Sequence, residues 1–389
     1  MSRDERELRG TAAIVGVAES NLGIVGSGVD TLDLIGQATV RALADAGLKK
    51  SDIDGLFCHS AFFNLPTVTA GEYLGIKPRY TDSTATGGSS FVGHLRHAAA
   101  AIEAGLCEVA LIVYGSTQRS SSGGLMTSGG SLFKSYETPF KPKMPVSAYA
   151  LTTSRHMYEF GTTREQLAEV AVSARQWAQL NPVAFKQDDL SIEEVLAARM
   201  VSDPLTTLDC CLVTDGGGAV IVTSAARART LKKPPVYILG VGDAHWQMHI
   251  SQAEDLTRTA AIDSSARAYA ASGMSPKDVD VIELYDAFTI NTILFLEDLG
   301  FCAKGEGGAF VEGGRIAPGG TLPVNTNGGG LSYGHPGMYG IFVTIEAVRQ
   351  IRGEAGARQV ENAHVALAHG NGGMLSSQVT AVLGDESTL

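Results

Sequence analysis

Four polar clusters, far apart in the chain, carry the residue types that move protons or attack carbonyl carbons. "TATGGSSFVGHLRHAAAAIEAG" (84–105) is a glycine turn opening into an apolar helix, with Ser89 and Ser90 where the helix should start. "ELYDAFT" (283–289) ends a strand on Tyr285 and Asp286. "NTNGGGLSYGHPGMYG" (325–340) sets Asn327, Tyr333, His335 and Pro336 in a glycine-rich turn. "LAHGNGGMLSSQVT" (367–380) follows His369 with a Gly-Asn-Gly-Gly stretch that ends on Gly373. A phenol, with a reference pKa of about 10, is a natural proton donor and a poor resting base, and a neighbouring imidazole can take its proton.

Several familiar chemistries fail on spacing. "GGSSF" does not complete the G-x-S-x-G elbow of a serine hydrolase, because phenylalanine holds its last position. No lysine follows the glycines to make a phosphate-binding loop, and "GVGDAH" and "VGVAES" do not complete G-x-G-x-x-G. Zinc-type spacing is missing, so His94 and His97, at i and i+3, read as packed or solvent-facing helix residues and no metal is expected. Ser89 reads as a helix N-cap in preference to a nucleophile.

Acidic residues outnumber basic ones by 41 to 30 and no Lys/Arg block occurs, which argues against nucleic acid or an anionic membrane as partner. There is no apolar run of membrane-spanning length, and the start "MSRDERELRG" is unlike a signal peptide. Five cysteines, at 58, 107, 210, 211 and 302, form neither a metal spacing nor a complete disulfide framework, so a cytoplasmic protein is expected.

The elements that must position these clusters alternate in an α/β pattern. Strands are expected over 11–20, 108–116, 217–225, 235–244 and 279–288. A helix over 30–47 has Asp30 as N-cap and Gly47 just past its end, and a second over 162–182 opens with a capping box from Thr162 to Glu165. "RALADAGLKKSDIDGLFCH" (41–59) aligns without gaps to "RAYAASGMSPKDVDVIELY" (267–285), and "TGGSSFVGH" (86–94) lies over "NGGGLSYGH" (327–335). Two matches in the same order imply two copies of one α/β unit, residues 1–230, with a loop-bearing insertion over 115–205, and residues 231–389. The Ser/Gly-rich loop over 115–145 carries Lys134, Lys141 and Lys143 and reads as a lid contacting a long anionic substrate, or as a solvated surface loop.

On these segments the chain resembles the thiolase superfamily, in the branch of the sterol-carrier-protein-type thiolases. "LDCCLVTDGGGAVIVTS" (208–224) before the midpoint and "ELYDAFT" belong to the likeness. "NTNGGGLSYGHP" stands for the family's Asn-x-x-Gly-Gly…Gly-His-Pro segment, and "HGNGGML" for its closing Cys-x-Gly-Gly-Gly turn. The resemblance runs nearly end to end and implies a thiolase-like α/β fold, layered αβαβα, assembled as a homodimer. It also exposes a departure. Counting back from "HAAAAIEAG" (97–105), the nucleophilic cysteine position falls on Gly88, and a serine hydroxyl cannot replace a thiolate without an adjacent base. The second cysteine position falls on His369, a replacement usual in this branch, where a histidine can act as acid or base.

The parts that remain suit a thioester enolate. His335 and the glycine-rich backbone would form an oxyanion hole, with Asn327 joined through water. Ser89, Ser90, Gly373, Lys141 and Lys143 are the expected contacts to a coenzyme A thioester, the only cofactor-like group anticipated. The Tyr-Asp and Ser-Tyr-Gly-His-Pro segments resemble those of bacterial steroid side-chain-cleaving aldolases. That likeness implies Tyr285 and Tyr333 as an acid–base pair, an acyl-CoA substrate, and a small partner protein with a zinc ribbon and an oligonucleotide-binding-type fold. The expectation is a retro-aldol lyase acting on a β-hydroxyacyl-CoA. An acyltransferase with a non-cysteine nucleophile and a non-catalytic acyl-CoA-binding subunit remain the alternatives.

Overall fold

The computed structural model describes residues 8–121 and 134–389. Met126 and Phe133 of the Ser/Gly-rich loop, and the side chain of Lys134, lie outside the described residues. Nine strands form one sheet: β1 (Ala12–Glu19), β2 (Gly55–Cys58), β3 (Tyr80–Asp82), β4 (Val109–Ser116), β5 (Gly216–Ser224), β6 (Val236–His245), β7 (Val281–Leu284), β8 (Val365–Gly372) and β9 (Ser377–Gly384). The helices that matter for the site are α1 (Thr31–Ala46), α2 (Ser90–Glu103), α3 (Val146–Phe160), α4 (Arg164–Gln179), α5 (Ala261–Ser272), α6 (Thr289–Asp298) and α7 (Gly340–Ile351).

The strand order is β3-β2-β4-β5-β1-β6-β9-β8-β7. Outward from the seam between β1 and β6, both halves repeat one pattern. Two antiparallel pairings (β1–β5 and β5–β4; β6–β9 and β9–β8) are followed by a parallel one (β4–β2; β8–β7). The seam itself is short, with only Ala13 opposite Tyr237 and Ile14 opposite Val236. Helix α1 covers one side of the first half and α5 one side of the second, while α2 and α7 each touch strands of both halves and fill the layer between them. Strands covered on both faces read as unbroken apolar runs, as β4 does with every residue buried. Glycines let the outer helices lie close: a Cβ on Gly16 would sit 2.4 Å from the Ala42 carbonyl oxygen of α1, and one on Gly242 2.1 Å from that of Ser264 on α5.

The first of the two internal matches is structural. In each copy a helix ends on a left-handed glycine, Gly47 (φ 70°) or Gly273 (φ 71°), and a one-turn 3-10 helix leads into a strand. The second match is not. His94 lies one turn inside α2, whereas His335 lies in the turn that precedes α7, so the two histidines hold different places in their halves. Two terminal assignments also shift. The capping box of α4 runs from Thr163 to Gln166, one residue later than expected, because Thr163 supplies the extended backbone and the hydroxyl that accepts from the Gln166 N–H. Ser89 precedes α2 but does not cap it: a 3-10 turn over Gly87–Ser89 already holds it in helical geometry, and its hydroxyl donates back to the Thr86 carbonyl (2.7 Å). Among the described residues no helix is long and apolar enough to cross a membrane.

Candidate active site around Tyr285 and His335

β7 ends at Leu284, and the next residue, Tyr285, is held by its N–H donating to the carbonyl of His369 on the neighbouring strand (3.0 Å). This fixes the direction of its ring. The phenol lies 3.0 Å from Nε2 of His335 and 3.3 Å from the carbonyl oxygen of Gly337, two alternative acceptors for its one proton. Its ring edge fills the space beside Gly88: a Cβ there would stand 2.1 Å from Cε2 of Tyr285. At the position where the resemblance leads one to expect a nucleophile there is no side chain, and an aromatic ring stands beside it.

His335 is fixed by both backbone groups. Its N–H donates to the Thr214 hydroxyl (3.0 Å) and its carbonyl accepts from the Thr214 N–H (3.2 Å). The imidazole packs almost parallel to Tyr339 (centroids 6.2 Å apart, 16° between planes), and Tyr285 meets Tyr339 edge-on at 5.8 Å. Burial pulls the His335 pKa down to about 4 and pushes the Tyr285 phenol well above its ordinary value. Both groups are thus neutral at pH 7, the state in which a phenol donates and an imidazole accepts.

The glycine turn over Gly329–Tyr333 is a single π-helical turn, a local widening that recurs at functional sites. Two groups hold it. The Asp286 carboxylate accepts from the N–H of Gly330 (2.6 Å) and of Leu331 (3.4 Å), and burial raises its pKa to about 7 against those bonds. Asn327 accepts through its amide oxygen from the Gly329 N–H and from the Tyr339 hydroxyl, each at 2.8 Å. Asn327 therefore supports the turn and positions Tyr339.

The structure does not bring all the expected residues together. Tyr333 points away from Tyr285: its hydroxyl donates to Glu19 (3.0 Å), a carboxylate also gripped by Arg349. Burial works against charge on Glu19, yet the Arg349 guanidinium holds its carboxyl below the usual range. His369 lies inside β8 and not in a turn, with Nδ1 against Thr380 and Nε2 against the Gln378 amide oxygen, each at 2.9 Å, and with its ring on Phe295. Burial lowers its pKa to about 3. It reaches the site through a relay, from Gln378 to Asn371 (2.7 Å) and from Asn371 to the Tyr149 hydroxyl (3.1 Å). Tyr149 donates to the Gly373 carbonyl (3.3 Å) and stacks on Phe288 at 4.2 Å.

Ser89 is fully buried, and its second neighbour is the hydroxyl of Ser377 (2.7 Å). Ser90 accepts from the Thr86 N–H (3.0 Å) and closes the turn before α2. Lys141 and Lys143 are exposed on the segment that leads into α3. Tyr339, Tyr149 and Asn371 escape a reading of the sequence. Two of them carried a signal: Tyr339 sits four residues beyond His335 in the same segment, and Asn371 stands in the Gly-Asn-Gly-Gly stretch after His369.

Fold and site together define a thiolase-type α/β protein with a tyrosine ring packed beside Gly88. The family described as "Thiolase C-terminal domain-like" matches residues 242–385. An acetyl-CoA acetyltransferase of Methanothermobacter thermautotrophicus is 34% identical over 93% of this chain and 96% of its own. A 17-hydroxy-3-oxo-4-pregnene-20-carboxyl-CoA lyase of Mycobacterium tuberculosis is 35% identical over 94% and 97%. A solved Ltp2-ChsH2(DUF35) aldolase superposes with a TM-score of 0.90 at 33% identity, covering 97% of this chain and 99% of that one. The chain belongs to the thiolase superfamily, with an acyltransferase, an acyl-CoA lyase and an aldolase among its full-length relatives.

Proposed function

We propose that this protein is an acyl-CoA carbon–carbon lyase of retro-aldol type, acting on a β-hydroxyacyl-CoA with a steroid-like side chain and forming no covalent acyl-enzyme. The observation that carries this reading is the Tyr285 ring in the volume beside Gly88, with its hydroxyl 3.0 Å from His335 Nε2. A Claisen cleavage needs a nucleophile at that place; a retro-aldol cleavage needs only a proton path and a stabilised enolate.

In this mechanism Tyr285 takes the proton of the substrate's β-hydroxyl as it passes its own to His335. The Cα–Cβ bond breaks, its electron pair moves into the thioester as an enolate, and the β-carbon leaves as a ketone. The proton then returns through Tyr285 to Cα, giving a shortened acyl-CoA. Tyr333, bound to Glu19, acts as a positioning residue behind Tyr339. Coenzyme A enters as part of the substrate, bound toward the segment that carries Lys141 and Lys143. A homodimer, and a small zinc-ribbon partner of the DUF35 kind, complete the reading; the solved aldolase and the likeness to steroid-cleaving relatives support it.

The experiment is to incubate the protein with a β-hydroxyacyl-CoA whose hydroxyl sits on a ring carbon, and to follow ketone and shortened acyl-CoA by chromatography and the protein by intact mass. Equal amounts of both products with an unchanged protein mass are expected. A stoichiometric acyl adduct would sink the non-covalent reading.

A further inference from the structure

A cluster of ligating side chains lies along α2, about two turns past Gly88. His94 and His97 sit one turn apart on that helix, and the fold brings Asp82, the last residue of edge strand β3, beside both. One ligand atom from each of Asp82, His94 and His97 lies within 4.8 Å of the others. His94 is fully buried, and among the described residues neither of its ring nitrogens has a hydrogen-bond partner. The rings of Phe57 and Phe91, with centroids 5.6 Å and 6.0 Å away, cannot satisfy those nitrogens, and the His97 ring lies 6.0 Å away. A buried polar group left without a partner is destabilising and calls for an explanation.

We propose that Asp82, His94 and His97 form a divalent transition-metal site, taking Zn²⁺ or a similar borderline ion on two imidazoles and one carboxylate. The donor set is that of three-ligand sites that leave a coordination position open to water. His97 Nδ1 and one Asp82 oxygen are hydrogen-bonded to each other at 2.7 Å, a bond that an ion would replace by entering between them. The Thr84 hydroxyl donates to the other Asp82 oxygen (2.9 Å), the outer-shell bond that orients a ligating carboxylate. An ion there would give His94 the partner it lacks and tie β3 to α2, the helix that follows the 3-10 turn holding Gly88. The site is separate from the Tyr285–His335 pair, so it stands whether or not the lyase reading holds.

The test uses the full chain, stripped with a chelator and titrated with Co²⁺, whose visible d–d absorption reports coordination, followed by competition with Zn²⁺. One Co²⁺ per chain, displaced by Zn²⁺, and a Zn²⁺-dependent rise in melting temperature are expected. Asp82→Asn and His97→Gln, both at partly exposed positions, should keep the far-UV circular dichroism of the parent and lose both signals. His364→Gln, at a surface histidine paired with Asp385, should lose neither. Absence of the absorption in the parent, or its persistence in both ligand variants, overturns the site.

Discussion

The hydroxyl of Tyr285 stands 3.0 Å from Nε2 of His335, and both groups are buried and uncharged. The two come from separate segments of the second half, one following β7 and the other preceding α7, and the Tyr285 ring packs beside Gly88 of the first half. A neutral acid facing a neutral base can move a proton without charge being stored in either group beforehand.

Tyr285→Phe removes the proton and leaves the ring in place. Turnover should fall by roughly 10²-fold with KM nearly unchanged, the pattern of a lost acid–base group. Tyr333→Phe should behave differently. It strips one hydrogen bond from a buried carboxylate and should cost about 1.5–3 kcal/mol of stability, while turnover at saturating substrate stays within tenfold. Steady-state kinetics beside chemical denaturation separates the two. Equal collapse of turnover in both variants would return Tyr333 to the reacting groups.

Gly88→Ala places a methyl group where the Tyr285 ring already is. Destabilisation of about 1–3 kcal/mol is expected from overpacking, with loss of activity as the ring is displaced. In a Tyr285→Ala background the same change should cost less, the remaining close contact being the Asn371 carbonyl oxygen, 2.8 Å from the added Cβ. Four denaturation curves complete the cycle, and an unchanged cost in the second background would show that the clash lies elsewhere.

Acid should weaken the fold through its buried imidazoles. His335 and His369 titrate at about 4 and about 3 in the folded chain, against roughly 6.5 when unfolded. Their contribution is fully present above the unfolded value and is lost as pH falls from there toward the folded ones. Asp286 runs the other way: burial raises it to about 7, so its contribution is present below its unfolded value near 3.9 and is lost as pH rises through 7. Between pH 7 and pH 5, His369→Gln should remove about 2 kcal/mol of the parent's loss on acidification. Asp286→Asn should make that loss larger. Denaturant midpoints at the two pH values check both signs.

Local signals in the sequence carried much of this architecture. Asp30 and Gly47 bound α1 where a cap and a left-handed glycine were expected, and the repeat around Gly47 and Gly273 is a repeat of elements. Tyr285 and His335 were visible because each stands in a short motif. What stayed hidden depends on contacts between distant segments. Nothing near Tyr333 announces that Glu19, more than three hundred residues earlier, will draw its hydroxyl away. Asp82 lies on a three-residue strand whose neighbours set its direction, so no spacing could link it to His94 and His97. His369 was placed by likeness to a turn residue, but the alternation of side chains along β8 aims it at Thr380 and Phe295.

The exclusion between a side chain at 88 and the ring of Tyr285 makes the two positions one volume shared by distant segments of chain. A Cβ at 88 would stand 2.1 Å from the ring and 2.8 Å from the Asn371 carbonyl oxygen. Redesign at either position is therefore redesign at both: bulk added at 88 has to be matched by bulk removed at 285.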